Sequence, residues 1–350
     1  MQHTGTAGHL RTFVRGSAGT GAALLMRAVG SILLSKVIVL YGGPGSLAQL
    51  GRFQSLMGLF GALPANGVQV GLTTALAPLR TGEPRYRLWL GAASWLTVLL
   101  VGVAGLLLWL FGGAAWPLGR TLLFTGAMLL VAGQALLSVA LLVAGRRGAY
   151  VALAAAIGGL GLLAAVGLLA LGQPLSRVLL GYVVGQGLSF GLALGLAGRA
   201  GLLRGWQPRH RPSWVALASL LRFIWMAVGT QLFGQAVGYA LRAYLIQHFT
   251  PAATDLWQAV DKLSGNYTMA VAVVLSTVFH PRLAALAPQP AEQRRYLSAV
   301  AGLLAVGLAV GLGLLFSLRV PVLTLFFAPR LAAAAPLNGP STAGRLGQVS

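Results

Sequence analysis

A chain of 350 residues that is 57% hydrophobic and only 8% charged, with a mean hydropathy of +0.81, is excluded from the soluble globular class, where about a quarter of residues carry charge. Its 25 Lys and Arg against 4 Asp and Glu leave a formal net charge of +21, yet these cations sit mostly in short loops without interleaved aromatic residues, so they mark membrane topology rather than a nucleic-acid partner. The absence of cysteine excludes a disulfide framework, thiol chemistry and a cysteine metal site.

In chain order, the first apolar stretch lies near residues 17–41, behind Arg11 and Arg15. A signal peptide would begin in this way. However, Arg27 and Lys36 interrupt the run, it is longer than a signal core, and it leads directly into a second span near 47–77, so a retained helix is expected. Uncharged apolar runs of about the 20 residues that a bilayer-crossing helix needs follow at 88–111, 121–144, 149–171, 178–197 and 296–318. Segments with occasional polar groups, near 222–247 and 253–279, bring the expected total to about nine spans. The 49 glycines suit close helix approach in a membrane, and Gly191 and Gly195 form one small-residue spacing.

Loop cations fall on alternate connections. Arg80, Arg85, Arg87, Arg146, Arg147, the cluster from Arg199 to Arg211, Arg282, Arg294 and Arg295 share a side with the N-terminus, whereas the opposite side holds only Arg120, Arg177 and Arg319, and Arg330 and Arg345 lie in the tail. The positive-inside rule therefore places the N-terminus in the cytoplasm. This leaves Arg27, Lys36, Arg52, Arg222, Arg242 and Lys262 within or at the edges of spans. A charge at mid-bilayer costs roughly 2.5–3.5 kcal/mol on insertion scales, so such residues usually face a bundle interior or a watery cavity.

At 100° per residue, Arg27 and Lys36 point to nearly opposite sides of a straight helix, and both face one cavity only if the helix bends, for example at Gly30. For Lys36 and Arg52, nearer the outer end of their spans, snorkelling to the interface is the alternative. Gln231, Gln235 and Arg242 fall within about 40° of one another and form a polar stripe, either an interhelical hydrogen-bond seam or a cavity wall. Arg222 points the other way and reads as an interfacial anchor. Of the acids, Asp255 and Asp261 are candidates for ion coupling, with pairing to a cation such as Arg242 as the structural alternative.

The sequence also repeats. Pro44 opens "PGSLAQLGRFQSL" after a span carrying Lys36, and Pro251 opens "PAATDLWQAVDKL" after a span carrying Arg242, about 205 residues later. Six spans per period give both halves the same orientation, as in transporters built from parallel repeats with a site between them.

The segments "LYGGPGSLAQLGRFQSL", "RAYLIQHFTPAATDLWQAVDKLS" and "VVLSTVFHPRLAAL" resemble the Wzx-type lipid-linked oligosaccharide flippases of the multidrug/oligosaccharidyl-lipid/polysaccharide exporter superfamily. Within them, "DLWQ" is similar to the members that flip enterobacterial-common-antigen and O-antigen units. The resemblance implies an all-α, polytopic, inner-membrane bundle with a two-lobe exporter fold and a pseudo-two-fold repeat around a cationic cavity. It implies movement of undecaprenyl-pyrophosphate-linked oligosaccharide to the periplasmic face for polysaccharide biosynthesis. Arg27, Lys36, Arg52, Gln231, Gln235, Arg242 and Lys262 would then line the pyrophosphate cavity, with Lys262 at a basic position common in the family. The implied partners are the lipid-linked substrate, membrane lipids and polysaccharide polymerase machinery.

The expected organisation is a six-helix lobe at 1–198, a basic cytoplasmic linker at 199–213, a partial lobe at 214–327 and a polar tail at 328–350. The tail, rich in Pro, Ala, Gly and Ser, departs from the family and suggests a truncated or frameshifted product with an incomplete second lobe. His3, His9, His210, His248 and His280 lack ligand spacing, Gly16, Gly19 and Gly21 lack a surrounding βαβ unit, and no Walker motif occurs. Neither a cofactor, a metal nor an enzymatic activity is therefore expected. Two other classes stay open: a drug antiporter of the same superfamily, disfavoured because Glu83 is the first lobe's single acid, and a non-transporting scaffold.

Overall fold

The computed structural model describes residues 26, 28–79, 83–203 and 213–274, with single positions at 298, 302, 309, 310, 313 and 317. The expectations for Arg27, the 296–318 span and the 328–350 tail lie outside these residues. Among the described residues every regular element is helical: α1 (Ala28–Tyr41), α2 (Ser46–Leu63), α3 (Val70–Leu76), α4 (Pro84–Phe111), α5 (Leu118–Val143), α6 (Arg147–Ala170), α7 (Leu175–Arg199), α8 (Trp214–Ala227), α9 (Phe233–His248) and α10 (Pro251–Val274).

Among the described residues four helices, α4 to α7, are long and apolar enough to cross a membrane. They match the uncharged runs expected at 88–111, 121–144, 149–171 and 178–197 to within a few residues at most ends, and the chain is a helical membrane protein. On α4, Leu99, Leu106 and Leu110 remain 59%, 53% and 57% exposed. A row of open leucines is tolerable when the solvent is hydrocarbon, because lipid tails are as apolar as leucine.

The ends of α5, α6 and α7 use one device. Gly145, Gly172 and Gly201 adopt positive φ of 74°, 65° and 71°, which lets the next residue fold back onto an orphan carbonyl. Arg146 N–H thus reaches Leu141 O at 2.9 Å, Gln173 N–H reaches Leu168 O at 3.0 Å, and Leu202 N–H reaches Ala197 O at 3.0 Å.

The spans expected at 47–77 and 222–247 are each made of three pieces. A π-helical turn, Pro64–Gln69, joins α2 to α3, and another, Val228–Leu232, joins α8 to α9. Pro64 lacks an N–H, and the widened turn at its position carries the helix past the missing donor.

By packing, the chain divides into two compact units: Met1–Leu34 with Gln49–His248, and Ser35–Ala48 with Phe249–Ser350. The expected lobes divide the chain by sequence repeat, whereas α8 belongs to unit 1 by packing because it lies against the first π turn, α3 and α4. The core of unit 1 includes Leu72, Leu76, Tyr86, Leu141, Leu153 and Leu220, with edge-to-face rings where Phe124 meets Phe53, Phe60 and Trp116 at 5.5, 5.0 and 5.2 Å. Helix α6 packs closely on α7. A Cβ on Gly185 would stand 2.5 Å from Leu160 O and 2.7 Å from Ala164 Cβ, so only glycine permits it. Gly191 and Gly195, the spacing visible in sequence, face open space.

Candidate functional site

In unit 1, the polar groups of α2 and α9 meet. A Cβ on Gly71 would touch Leu220 and Phe223, one on Gly67 would touch Ile224, and one on Gly58 would run into the Gln235 amide. Residue numbers fall on one helix as they rise on the other, so the α2 to α3 and α8 to α9 spans run antiparallel.

That alignment brings two cations onto one interface. Arg52 and Ser55 lie one turn apart on α2, and Tyr239 and Arg242 lie one turn apart on α9, so each pair shares a face. Arg52 Nη2 donates to the Tyr239 hydroxyl at 3.2 Å, with the guanidinium 5.3 Å from the ring centroid. Reciprocally, Arg242 Nη1 donates to Ser55 Oγ at 2.7 Å and to Gly238 O at 3.1 Å. Both arginines are half-buried. Hydroxyl partners orient each guanidinium at this helix pair.

Of the stripe read on the seventh span, Gln235 and Arg242 turn to α2, whereas Gln231 is exposed within the π turn. The wider winding of that turn shifts the 3.6-residue phase that placed all three together. Arg222, on α8, is exposed.

Unit 2 holds the other candidates. The turn after α1 has positive φ at Gly43 and Gly45, 77° and 82°, and α2 begins at once. A helix start leaves unsatisfied N–H groups, which a side chain at the capping position usually accepts. Gly45 has no side chain. Asp255, in the second turn of α10 and 1% exposed, replaces it across 210 residues: Oδ2 accepts Gly45 N–H at 2.7 Å and Oδ1 accepts Ala48 N–H at 2.9 Å. Its negative charge also faces the positive end of the α2 dipole. Both oxygens of this ion-coupling candidate are thus engaged as a cap. Asp261 accepts from Gln258 Nε2 at 3.5 Å, Lys262 Nζ donates to Ser35 Oγ, and Lys36 is half-buried on α1.

No family model, curated protein or solved structure matches this chain. The resemblance therefore stands on the quoted motifs, and the chemistry stands on the geometry above. Among the described residues no group of three or more His, Cys, Asp or Glu could hold a metal ion.

A second polar cluster lies inside runs that read as plain apolar spans. Gln134 and Ser138 on α5, and Tyr182 and Gln186 on α7, are buried around one cavity of unit 1. Their i, i+4 spacing on each helix was the available signal, since both pairs lie one above the other.

Proposed function

We propose that this chain moves undecaprenyl-pyrophosphate-linked oligosaccharide across the bacterial inner membrane, N-terminus in the cytoplasm, by alternating access around a cationic site. The observation that carries the reading is the facing pair Arg52 and Arg242, half-buried and held by hydroxyl groups on two antiparallel helices.

A pyrophosphate carries its charge through a region that disfavours it. Guanidinium groups supply N–H donors in a rigid fork and replace lost water bidentately, while an isoprenoid tail stays in the bilayer. Four acids against 25 cations leave ample positive charge for an anionic headgroup. Gln235 beside Gly58 adds a neutral donor for the same headgroup. Asp261 stays the candidate for ion coupling.

Reconstitution of the full chain with a fluorescent polyprenyl-pyrophosphate saccharide tests the reading. Protein-dependent transbilayer movement is expected, and the double variant Arg52→Gln, Arg242→Gln is expected to slow it at least about tenfold, since a charge-assisted hydrogen bond contributes roughly 1.5–3 kcal/mol. Movement no faster than in protein-free vesicles, or unchanged in the variant, would contradict it and favour a scaffold.

A further inference from the structure

Unit 1 contains a second site of opposite character. A cavity of about 370 Å³ lies among α1, the first π turn, α5, α6 and α7, within the range of roughly 300–1,000 Å³ typical of small-molecule pockets. Its polar wall is made by Gln69, Gln134, Ser138, Tyr150, Tyr182 and Gln186, and none of the described residues lining it is charged at neutral pH.

One atom of this wall lacks a protein partner. Gln134 is 0% exposed; its Nε2 donates to Ser138 Oγ at 3.1 Å, and the Ser138 hydroxyl donates onward to the Gln134 backbone carbonyl at 2.9 Å. With the serine proton committed to the backbone, the carbonyl oxygen Oε1 of Gln134 accepts no hydrogen bond. A buried acceptor left unmet costs roughly 1–3 kcal/mol, and such groups in native proteins call for a donor from water or ligand.

Glycines let the walls of this cavity pack closely on one another. A Cβ on Gly161 would meet Gln186 Cγ at 2.8 Å and the Tyr182 ring at 2.9 Å, and Gly30 and Gly158 let α1 and α6 meet, with 3.4 Å from a Gly30 Cβ to Gly158 Cα.

We propose that this cavity binds a neutral, polyhydroxylated solute of about monosaccharide size. Amides and hydroxyls supply both donors and acceptors, as a ring of hydroxyl groups requires, and Tyr150 and Tyr182 offer aromatic surface to its C–H face. Among the described residues of this lining an anion finds no cation, and a cation finds no carboxylate. The site is separate from Arg52 and Arg242 and does not depend on the flippase reading.

Binding of tritiated glucose and N-acetylglucosamine to the full chain in nanodiscs tests this, beside a polyprenyl-pyrophosphate saccharide as the lipid-borne source of the same chemistry. Saturable binding is expected, weakened about tenfold or more in Gln134→Leu and in the cavity-filling Ala135→Leu, and indifferent to replacing sodium by choline. Loss of only the free-sugar signal assigns the site to free solute; loss of only the lipid-borne signal assigns it to the carried saccharide. Ser138→Ala, the mildest change, serves if Gln134→Leu does not fold, and is expected to weaken binding in the same direction. Absence of saturable binding, binding that all three variants leave unchanged, or competition by sodium would overturn the proposal.

Discussion

Asp255→Ala is expected to lower stability by about 3 kcal/mol, because it leaves two buried backbone donors, Gly45 N–H and Ala48 N–H, without acceptors at roughly 1–3 kcal/mol each. Gly45 cannot cap the helix itself, since it has no side chain and its φ of 82° is one that other residues adopt only under strain. Asp255→Asn retains a single acceptor oxygen and is expected to recover about half of the loss. Hydrogen exchange reads the effect at its source: the Gly45 and Ala48 amides, protected in the native chain, are expected to exchange fast in the alanine variant. If both variants unfold as the native chain does while ion dependence of transport changes, Asp255 couples ions rather than capping α2.

Gly185→Ala is expected to cost about 1–3 kcal/mol by overpacking. The added methyl meets Leu160 O, a backbone atom that cannot rotate away, so α6 and α7 have to separate. Gly191→Ala on the same helix is the internal control. Nothing lies within 4 Å of its new methyl, and the better helix propensity of alanine is expected to leave stability unchanged or raise it by up to about 1 kcal/mol. Denaturant unfolding of the two variants in one detergent should therefore show a loss of stability in Gly185→Ala that Gly191→Ala does not share. A shift of the same sign and size would mean that α7 turns a different face to α6.

These two variants also show where sequence reading stops. The Gly191 and Gly195 spacing is visible to anyone scanning for small residues, yet spacing says only that two positions share a face, not which neighbour that face meets. Gly185 carries the contact because α6 happens to cross there. Asp255 is similar: its position near the start of a helix is legible, but the two N–H groups that it accepts are 207 and 210 residues away in the chain. The buried Gln134 and Gln186 do not stand out in the sequence because a single neutral amide barely alters the hydropathy of a 20-residue window.

By itself the sequence determined that this is a helical membrane protein and where α4 to α7 lie, because a helix rises 1.5 Å per residue and hydrocarbon admits only long apolar runs. It also marked Arg27, Lys36, Arg52, Arg222, Arg242 and Lys262 as charges that a membrane does not hold without cause. Only the tertiary structure decided that Arg52 and Arg242 meet across α2 and α9 through Ser55 and Tyr239, that Asp255 caps α2, and that Gln134 borders a cavity. The reason is physical: hydropathy and period act along one helix, whereas partners are chosen by packing between helices far apart in the chain, which one-dimensional patterns do not encode.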